Sequence, residues 1–350
     1  MIRVAWRQLR GQTIVALVVI AVVLVAVAIT GPHLFNLYDT EIAGCKALGD
    51  CAGVKSAFAH NDRLLHTWLG ILVLVIPGIV GIFWGAPLVT RELESGTYRL
   101  MWTQSITRTR WITTKLIVVG LASAMFAGLL SLLVTWWSSR IDAAAMNAYG
   151  SFDLRDVVPI AYAIFAFALG VTSGVVIRKM LPAMASTLVV FVGVRLAFNH
   201  VVRPRLVPVN VVNLPLNQNT AGFGSANGGP FSLFPNTPTL HNAWITSLQI
   251  VNRDHQTLSS QVVTNSCHRL VSQSGGGGQP TGLGGLKPSA ATNTLLQECF
   301  SRVGANYHVR VAYQPSSHYW TMQWYETAIY FGAALALALV CLWWIRHRLS

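Results

Sequence analysis

The side chains able to do chemistry are few, and their spacing argues against catalysis. His60, His66, His255, His268, His308 and His318 show no zinc spacing such as H-E-x-x-H. Asp254 and His255 adjoin as a carboxylate and an imidazole, but no nucleophile motif accompanies them. The glycine run Ser274–Ser289 (SGGGGQPTGLGGLKPS) lacks the phosphate-cradling G-x-x-x-x-G-K-[ST] spacing, because Lys287 is followed by Pro288. It reads as a flexible loop tip instead. No other nucleotide-binding signature occurs, so any ATP must be handled by a partner. We therefore assign no catalytic residue and no metal ligand. The cysteines suggest a different chemistry. Cys45 and Cys51 form one local pair, Cys267 and Cys299 another, and Cys341 stands alone in an apolar run. Disulfides Cys45–Cys51 and Cys267–Cys299 in an oxidising space suit this placement, with other pairings open.

The elements that must carry these residues are set by hydrophobicity. Hydrophobic residues make up 53% and charged residues 11% of the 350, against about 25% charged in soluble chains; mean hydropathy is +0.50. Six apolar runs are long enough to cross a bilayer, at about 12–31, 64–90, 112–137, 157–177, 181–201 and 322–345. Buried helices of a soluble enzyme would not give six. The first run reads as a span rather than a cleaved leader, since Thr30-Gly31-Pro32 is a poor cleavage site. The fold class expected is an all-α polytopic membrane protein.

Arginine and lysine orient it. Arg3, Arg7 and Arg10 precede span 1, and alternation puts the short segments 91–111, 178–180 and 346–350 on the same side. Those segments are dense in basic residues and hold only Glu92 and Glu94 of the 12 acids. By the positive-inside rule this side is cytoplasmic, with both termini in it and the protein multi-pass in the cell membrane. The net charge of +13 is then mostly anchoring to lipid, and nucleic-acid binding is discounted. The domains expected are 1–201, carrying spans 1–5; an extracellular 202–320; and 321–350, carrying span 6 and a cytoplasmic tail. Segment 202–320 is rich in Asn, Ser, Thr, Gly and Pro. Leu206–Leu214 and His308–Tyr313 suggest strands, while Thr239–Asn252 and Leu258–Val271 suggest short helices. That makes it a mixed α/β domain.

Within the spans, Arg195 is the most unusual residue, with Asn199 and His200 a turn further on. An arginine in lipid is costly and is usually paired. Glu326, at the outer end of span 6, is at a suitable depth to be its partner. Arg195 then either ties spans 5 and 6 or meets a substrate. Trp136, Trp137, Trp320, Trp324, Trp343 and Trp344 suit aromatic belts at the bilayer surfaces.

The connector Arg91–Lys115 (RELESGTYRLMWTQSITRTRWITTK) lies between spans 2 and 3. Acids open it, Gly96 permits a break, and Tyr98, Leu100, Met101 and Trp102 bring apolar bulk to a short amphipathic helix. Such a helix either rests on lipid headgroups or docks its anchors in a partner's groove. The run Glu92-x-Glu94-x-Gly96-Thr97, then Thr103-Gln104, Arg108 and Lys115, together with six spans, resembles the ABC type-2 exporter permeases, the transmembrane subunits of ABC transporters. The start Ala5-Trp6-Arg7-Gln8-Leu9-Arg10 is similar to that of actinobacterial members. The resemblance covers about two thirds of the chain, and the long segment 202–320 departs from the compact members.

That resemblance implies a coupling helix at about 91–110, seated in a cytoplasmic ABC ATPase subunit through Glu92, Glu94, Arg99, Met101 and Trp102. It also implies a second permease copy, as homo- or heterodimer, with ATP and Mg held by the partner ATPase and no cofactor in this chain. Spans 2 and 5 would face the dimer axis, so Phe83, Trp84, Phe191, Arg195, Phe198 and Asn199 would line the translocation path of an exporter of drugs, lipids, peptides or other amphipathic molecules. The alternative is a membrane sensor, or an ABC-like mechanotransmission subunit acting on an extracytoplasmic partner through segment 202–320.

Overall fold

The computed structural model describes residues 2–42, 63–96, 107–145, 148–225, 230–238, 240, 242–273 and 290–348. The cysteine pair Cys45 and Cys51, the connector residues Arg99, Met101 and Trp102, and the glycine-rich stretch Ser274–Ser289 lie outside these. The chain divides into two compact units, Met1–Val207 with Ser317–Ser350, and Pro208–Ser316.

Among the described residues, six helices of the first unit are long and apolar enough to cross a membrane. Span 1 is Arg10–Thr40, span 2 Leu64–Glu94, span 3 Thr109–Ile141, span 4 Val158–Ile177, span 5 Met180–Arg205 and span 6 Ser316–Arg348. Several outrun the apolar segments that announced them, because a helix does not stop where hydrophobicity does. Span 4 is the most enclosed, with Ala163, Ala166, Val171 and Val175 buried on successive turns. Small residues let neighbours approach it from several sides. It stops at Arg178, whose left-handed backbone (φ 61°) caps the helix, and Lys179 in extended conformation turns the chain into span 5.

Span 2 is not one regular helix. It contains Pro77, then a π-helical turn at Gly81–Gly85, and resumes as Ala86–Glu94 with Pro87 in its first turn. Pro77 removes a backbone donor, and the π turn adds a residue to one turn; both re-aim a helix. The last helical stretch ends at Ser95, followed by Gly96 at φ +66°, the left-handed position that glycine takes at low cost.

The second unit has a three-stranded antiparallel sheet, β1 (Asn210–Pro215), β4 (Trp244–Asn252) and β5 (Tyr307–Gln314), in the order β1-β5-β4. A separate hairpin pairs β2 (Ala221–Ser225) with β3 (Phe231–Pro235). Helices Ser260–Ser266, His268–Gln273 and Ala290–Gly304 cover a core that includes Leu270, Phe300, Val303, Val309 and Val311. The disulfide Cys267–Cys299 lies in this core and spans 32 residues, a closure that stabilises by about 3–4 kcal/mol in the chain-entropy account. The helix expected at Thr239–Asn252 is corrected: Trp244–Asn252 is a strand, paired with β5 from Trp244↔Gln314 to Asn252↔Tyr307. Short apolar runs fit either period, and cross-strand pairing with β5 decided this one. The strand expected at Leu206–Leu214 begins four residues later, because Arg203–Arg205 forms a 3₁₀ turn that still belongs to span 5.

Candidate functional site

Two ends of the helical unit carry its buried polar chemistry. One lies where span 2 runs into the connector. Glu92 is buried, and its Oε1 accepts a hydrogen bond from Lys115 Nζ at 2.6 Å. The same ammonium donates to the Leu88 carbonyl at 3.2 Å and lies 4.7 Å from the Trp111 ring centroid. Glu94 turns the other way, and its Oε1 accepts the Met180 backbone N–H at 2.8 Å, a donor in the first turn of span 5. First-turn amides have no intrahelical acceptor, so a carboxylate there satisfies both the amide and the helix dipole. The two acids therefore pin the foot of span 2 to spans 3 and 5. The opening residues of the connector, Arg91–Glu94, are thus the last turn of span 2.

At the π turn, span 2 lies against span 4 through backbone. A Cβ on Gly81 would come 2.6 Å from the Ala166 oxygen, and one on Gly85 2.6 Å from the Phe167 oxygen. From the opposite side, a Cβ on Gly170 would stand 2.1 Å from the Gly81 oxygen, and one on Gly174 2.8 Å from the Ala86 oxygen. The two pairs are the four-residue repeats Gly81-Ile-Phe-Trp-Gly85 and Gly170-Val-Thr-Ser-Gly174. This small-xxx-small spacing is how membrane helices approach closely when lipid provides no hydrophobic drive between them.

The other end is an ionic cluster centred on Arg203, which is buried. All five of its N–H donors find acceptors. Nε meets Glu326 Oε2 at 3.0 Å, and Nη2 meets Glu326 Oε1 at 2.8 Å. Nη1 meets Asp153 Oδ2 at 3.1 Å and Asn199 Oδ1 at 2.8 Å, while Nη2 also pairs with Asp153 Oδ1. The Tyr162 hydroxyl sits against both carboxylates. Arg195 sits over the Tyr162 ring, its Cζ 3.7 Å from the centroid, with Nη1 3.5 Å from Asp153 Oδ1. Two arginines thus face two carboxylates, and the charges balance. Fully satisfied donors leave Arg203 none for a substrate, so its chemistry is that of a clamp joining spans 4, 5 and 6 to the segment before span 4.

Beside it, Tyr319 Oη donates to Asp156 Oδ2 at 2.5 Å and accepts from Arg155 Nε at 3.0 Å. Gln323 Nε2 donates to the Phe152 carbonyl at 3.1 Å. Burial pushes the Tyr149 hydroxyl up to about 12. For Asp153, burial alone raises the carboxyl, but the hydrogen bond and charge of Arg203, with the charge of Arg195, outweigh it and hold the group below its ordinary value. A carboxyl lowered by folding stabilises above its unfolded value, near 3.9, and loses that contribution as pH falls through the folded value. The unfolding temperature of the detergent-solubilised protein is expected to decline below about pH 4. Asp153→Asn should lower it at pH 7 and flatten the acid limb, as a melting series across pH would record.

The sequence-derived residues are not gathered in one place. Glu326 has Arg203 as its close partner, and the pair expected with Arg195 is a looser 3.8 Å contact. Arg203 lies beyond the apolar run that ends at 201, and the turn Phe198–Val202 carries the helix on to it. The usable signal was the row Arg195, Asn199, Arg203 at four-residue steps. The glycine repeats are likewise readable in the sequence, at Gly81 and Gly85 and at Gly170 and Gly174. Asp153 had no local signal. Phe83 is exposed, whereas Trp84, Phe191 and Phe198 are buried. Trp84 packs on Phe126 at 5.6 Å, Phe191 on Phe165 at 6.3 Å and Phe198 on Tyr330 at 5.0 Å. Among the described residues no group of His, Cys, Asp and Glu is placed to hold a metal ion.

A family model described as "ABC-2 membrane transporter related" matches residues 16–203. No curated protein and no solved structure matches the chain. The matched stretch is more than half of the 350 residues and holds most of span 1, spans 2–4, span 5 up to Arg203, both glycine repeats and the foot of span 2. Six membrane-spanning helices and this match make the chain a member of the ABC-2 membrane transporter related family, a multi-pass transporter membrane subunit.

Proposed function

We propose that the chain is the permease subunit of an ATP-driven exporter in the cell membrane, with its termini cytoplasmic. A separate ABC ATPase holds ATP and Mg, and a second permease copy completes the path. The observation that carries the reading is the foot of span 2. A force arriving through the connector enters where Glu92 grips Lys115 of span 3 and Glu94 grips the start of span 5. A few ångströms of displacement there are shared by three spans, and the glycine seam passes them to span 4. Bistable packing of this kind converts a small local shift into rocking of helices. The path lies between the two copies, along the exposed side of spans 2 and 5 that includes Phe83. Its chemistry is apolar, which suits amphipathic substrates.

The test is isolation of the tagged chain from its native membrane. An ATP-binding subunit is expected to co-purify and to hydrolyse Mg-ATP. Glu94→Ala should keep that subunit bound but reduce permease-dependent turnover by about fivefold or more, the scale of an ordinary inter-site coupling. A chain that purifies alone overturns the proposal. One observation favours a second reading, in which the ATPase drives work on an extracytoplasmic protein. Residues 208–316 form a unit with its own core and disulfide. Capture of a partner by that unit, with no substrate movement in vesicles, would favour this reading.

A further inference from the structure

Spans 3, 4 and 6 leave between them an apolar groove of about 330 Å³ that the transport reading does not use. Its floor is made of small residues, Gly120, Ala124, Ala168, Ala334 and Ala338, with Phe167 closing one side. Ile117, Leu121 and Leu335 stand exposed along its rims. Leu116 to Ala124 gives it a length of about 12 Å at the helical rise of 1.5 Å per residue. That is a slot for a chain, too shallow and too apolar for a polar ligand.

Both rims run to an arginine at the same end. Arg110 precedes Ile117 by seven residues, two helical turns on one face of span 3. Arg346 follows Leu335 by eleven residues, three turns on one face of span 6. The two ends are held together, since Arg346 Nε donates to Thr109 Oγ1 at 3.3 Å. Both arginines are exposed, and neither forms an ion pair among the described residues. The acids described on this side are Glu92 and Glu94, already engaged with Lys115 and Met180. An unneutralised pair of guanidiniums at the mouth of an apolar slot is complementary to a negative headgroup joined to a hydrocarbon chain.

We propose that this groove binds an anionic membrane phospholipid, one acyl chain lying between spans 3, 4 and 6 and the phosphate held by Arg110 and Arg346. The site needs only that the chain spans a bilayer, so it stands or falls apart from ATPase coupling. The lipid acts as a wedge: it fills the slot that Gly120 and the alanines leave open and fixes the spacing of spans 3 and 6.

The full-length protein, loaded in detergent with equal phosphatidylglycerol and phosphatidylcholine, is examined by native mass spectrometry. Retention of phosphatidylglycerol is expected to exceed that of phosphatidylcholine by about tenfold or more, given roughly 1 kcal/mol for each basic residue near an anionic lipid. Arg110→Gln with Arg346→Gln should bring the ratio near one. Ala338→Phe, which fills the slot, should lower retention of both lipids. Equal retention by the unaltered protein overturns the proposal, as does a preference that survives the double arginine substitution. Should Ala338→Phe fail to fold, Arg110→Gln alone decides: it alters an exposed side chain, and an unchanged ratio refutes the site.

Discussion

Gly170→Ala is expected to stop span 2 from seating on span 4 and to cost about 3 kcal/mol or more, at or beyond the upper end of ordinary overpacking. The reason is what the new methyl would meet. Its nearest neighbour, at 2.1 Å, is the Gly81 carbonyl oxygen, and the Ala86 nitrogen lies at 2.9 Å. Backbone cannot swing aside as the end of a side chain can, so the helices themselves must part. Parting them also loosens Gly85 from Phe167 and moves the foot of span 2, where Glu92 and Glu94 are fastened. A graded series makes the cause visible. Gly174→Ala, with 2.8 Å to the Ala86 oxygen, should be milder, and Gly120→Ala, at 3.4 Å from the Phe167 ring, milder still. Gly332→Ala meets nothing within 4 Å and should be neutral or stabilising through helix propensity. Thermal unfolding followed by size-exclusion chromatography would rank them. Equal behaviour of Gly170→Ala and Gly332→Ala would dismiss the seam.

Arg203→Met should cost about 3–5 kcal/mol, the usual penalty for removing one member of a buried ion pair. The loss is not the energy of the pair itself. It is the burden of leaving Asp153 and Glu326 facing a single arginine, Arg195, with Glu326 wholly buried. Charge balance predicts the rescue. Adding Glu326→Gln leaves Arg195 opposite Asp153 and restores neutrality, so Arg203→Met with Glu326→Gln should be more stable than Arg203→Met alone. A non-additive cycle of this sign, measured as unfolding temperature in detergent, is the signature of direct coupling. Additive losses would mean that the arginine and the glutamate act separately. Arg203→Lys separates charge from geometry. A single ammonium cannot make two bidentate contacts, so it should recover only part of the loss.

Much of the architecture is legible in the sequence alone. Twenty-residue apolar runs have few ways to satisfy backbone hydrogen bonds in hydrocarbon, so six of them imply six helices. Gly96 announced the end of the helix that runs into the connector, because a left-handed cap suits glycine. The strand over His308–Tyr313 was visible from β-branched alternation, and it is β5, the central strand of its sheet.

What the sequence left undecided depended on long-range placement. Period alone could not tell helix from strand over Trp244–Asn252, because the deciding force is pairing with residues more than fifty positions away. Glu92 and Glu94 read as surface acids of a docking segment. The fold turns one inward to Lys115 and the other onto Met180, and only the positions of spans 3 and 5 could specify that. Arg195 does reach Glu326, at 3.8 Å, but Arg203 is the nearer partner. Arg195 is at a plausible height, but a π turn carries Arg203 to the cluster and aims both ends of its guanidinium at carboxylates. Composition thus determined that the chain spans a bilayer and how many times. Which charges neutralise one another, and where two helices touch backbone to backbone, was decided by tertiary structure, because Coulomb attraction and steric exclusion act through distances that linear spacing does not contain.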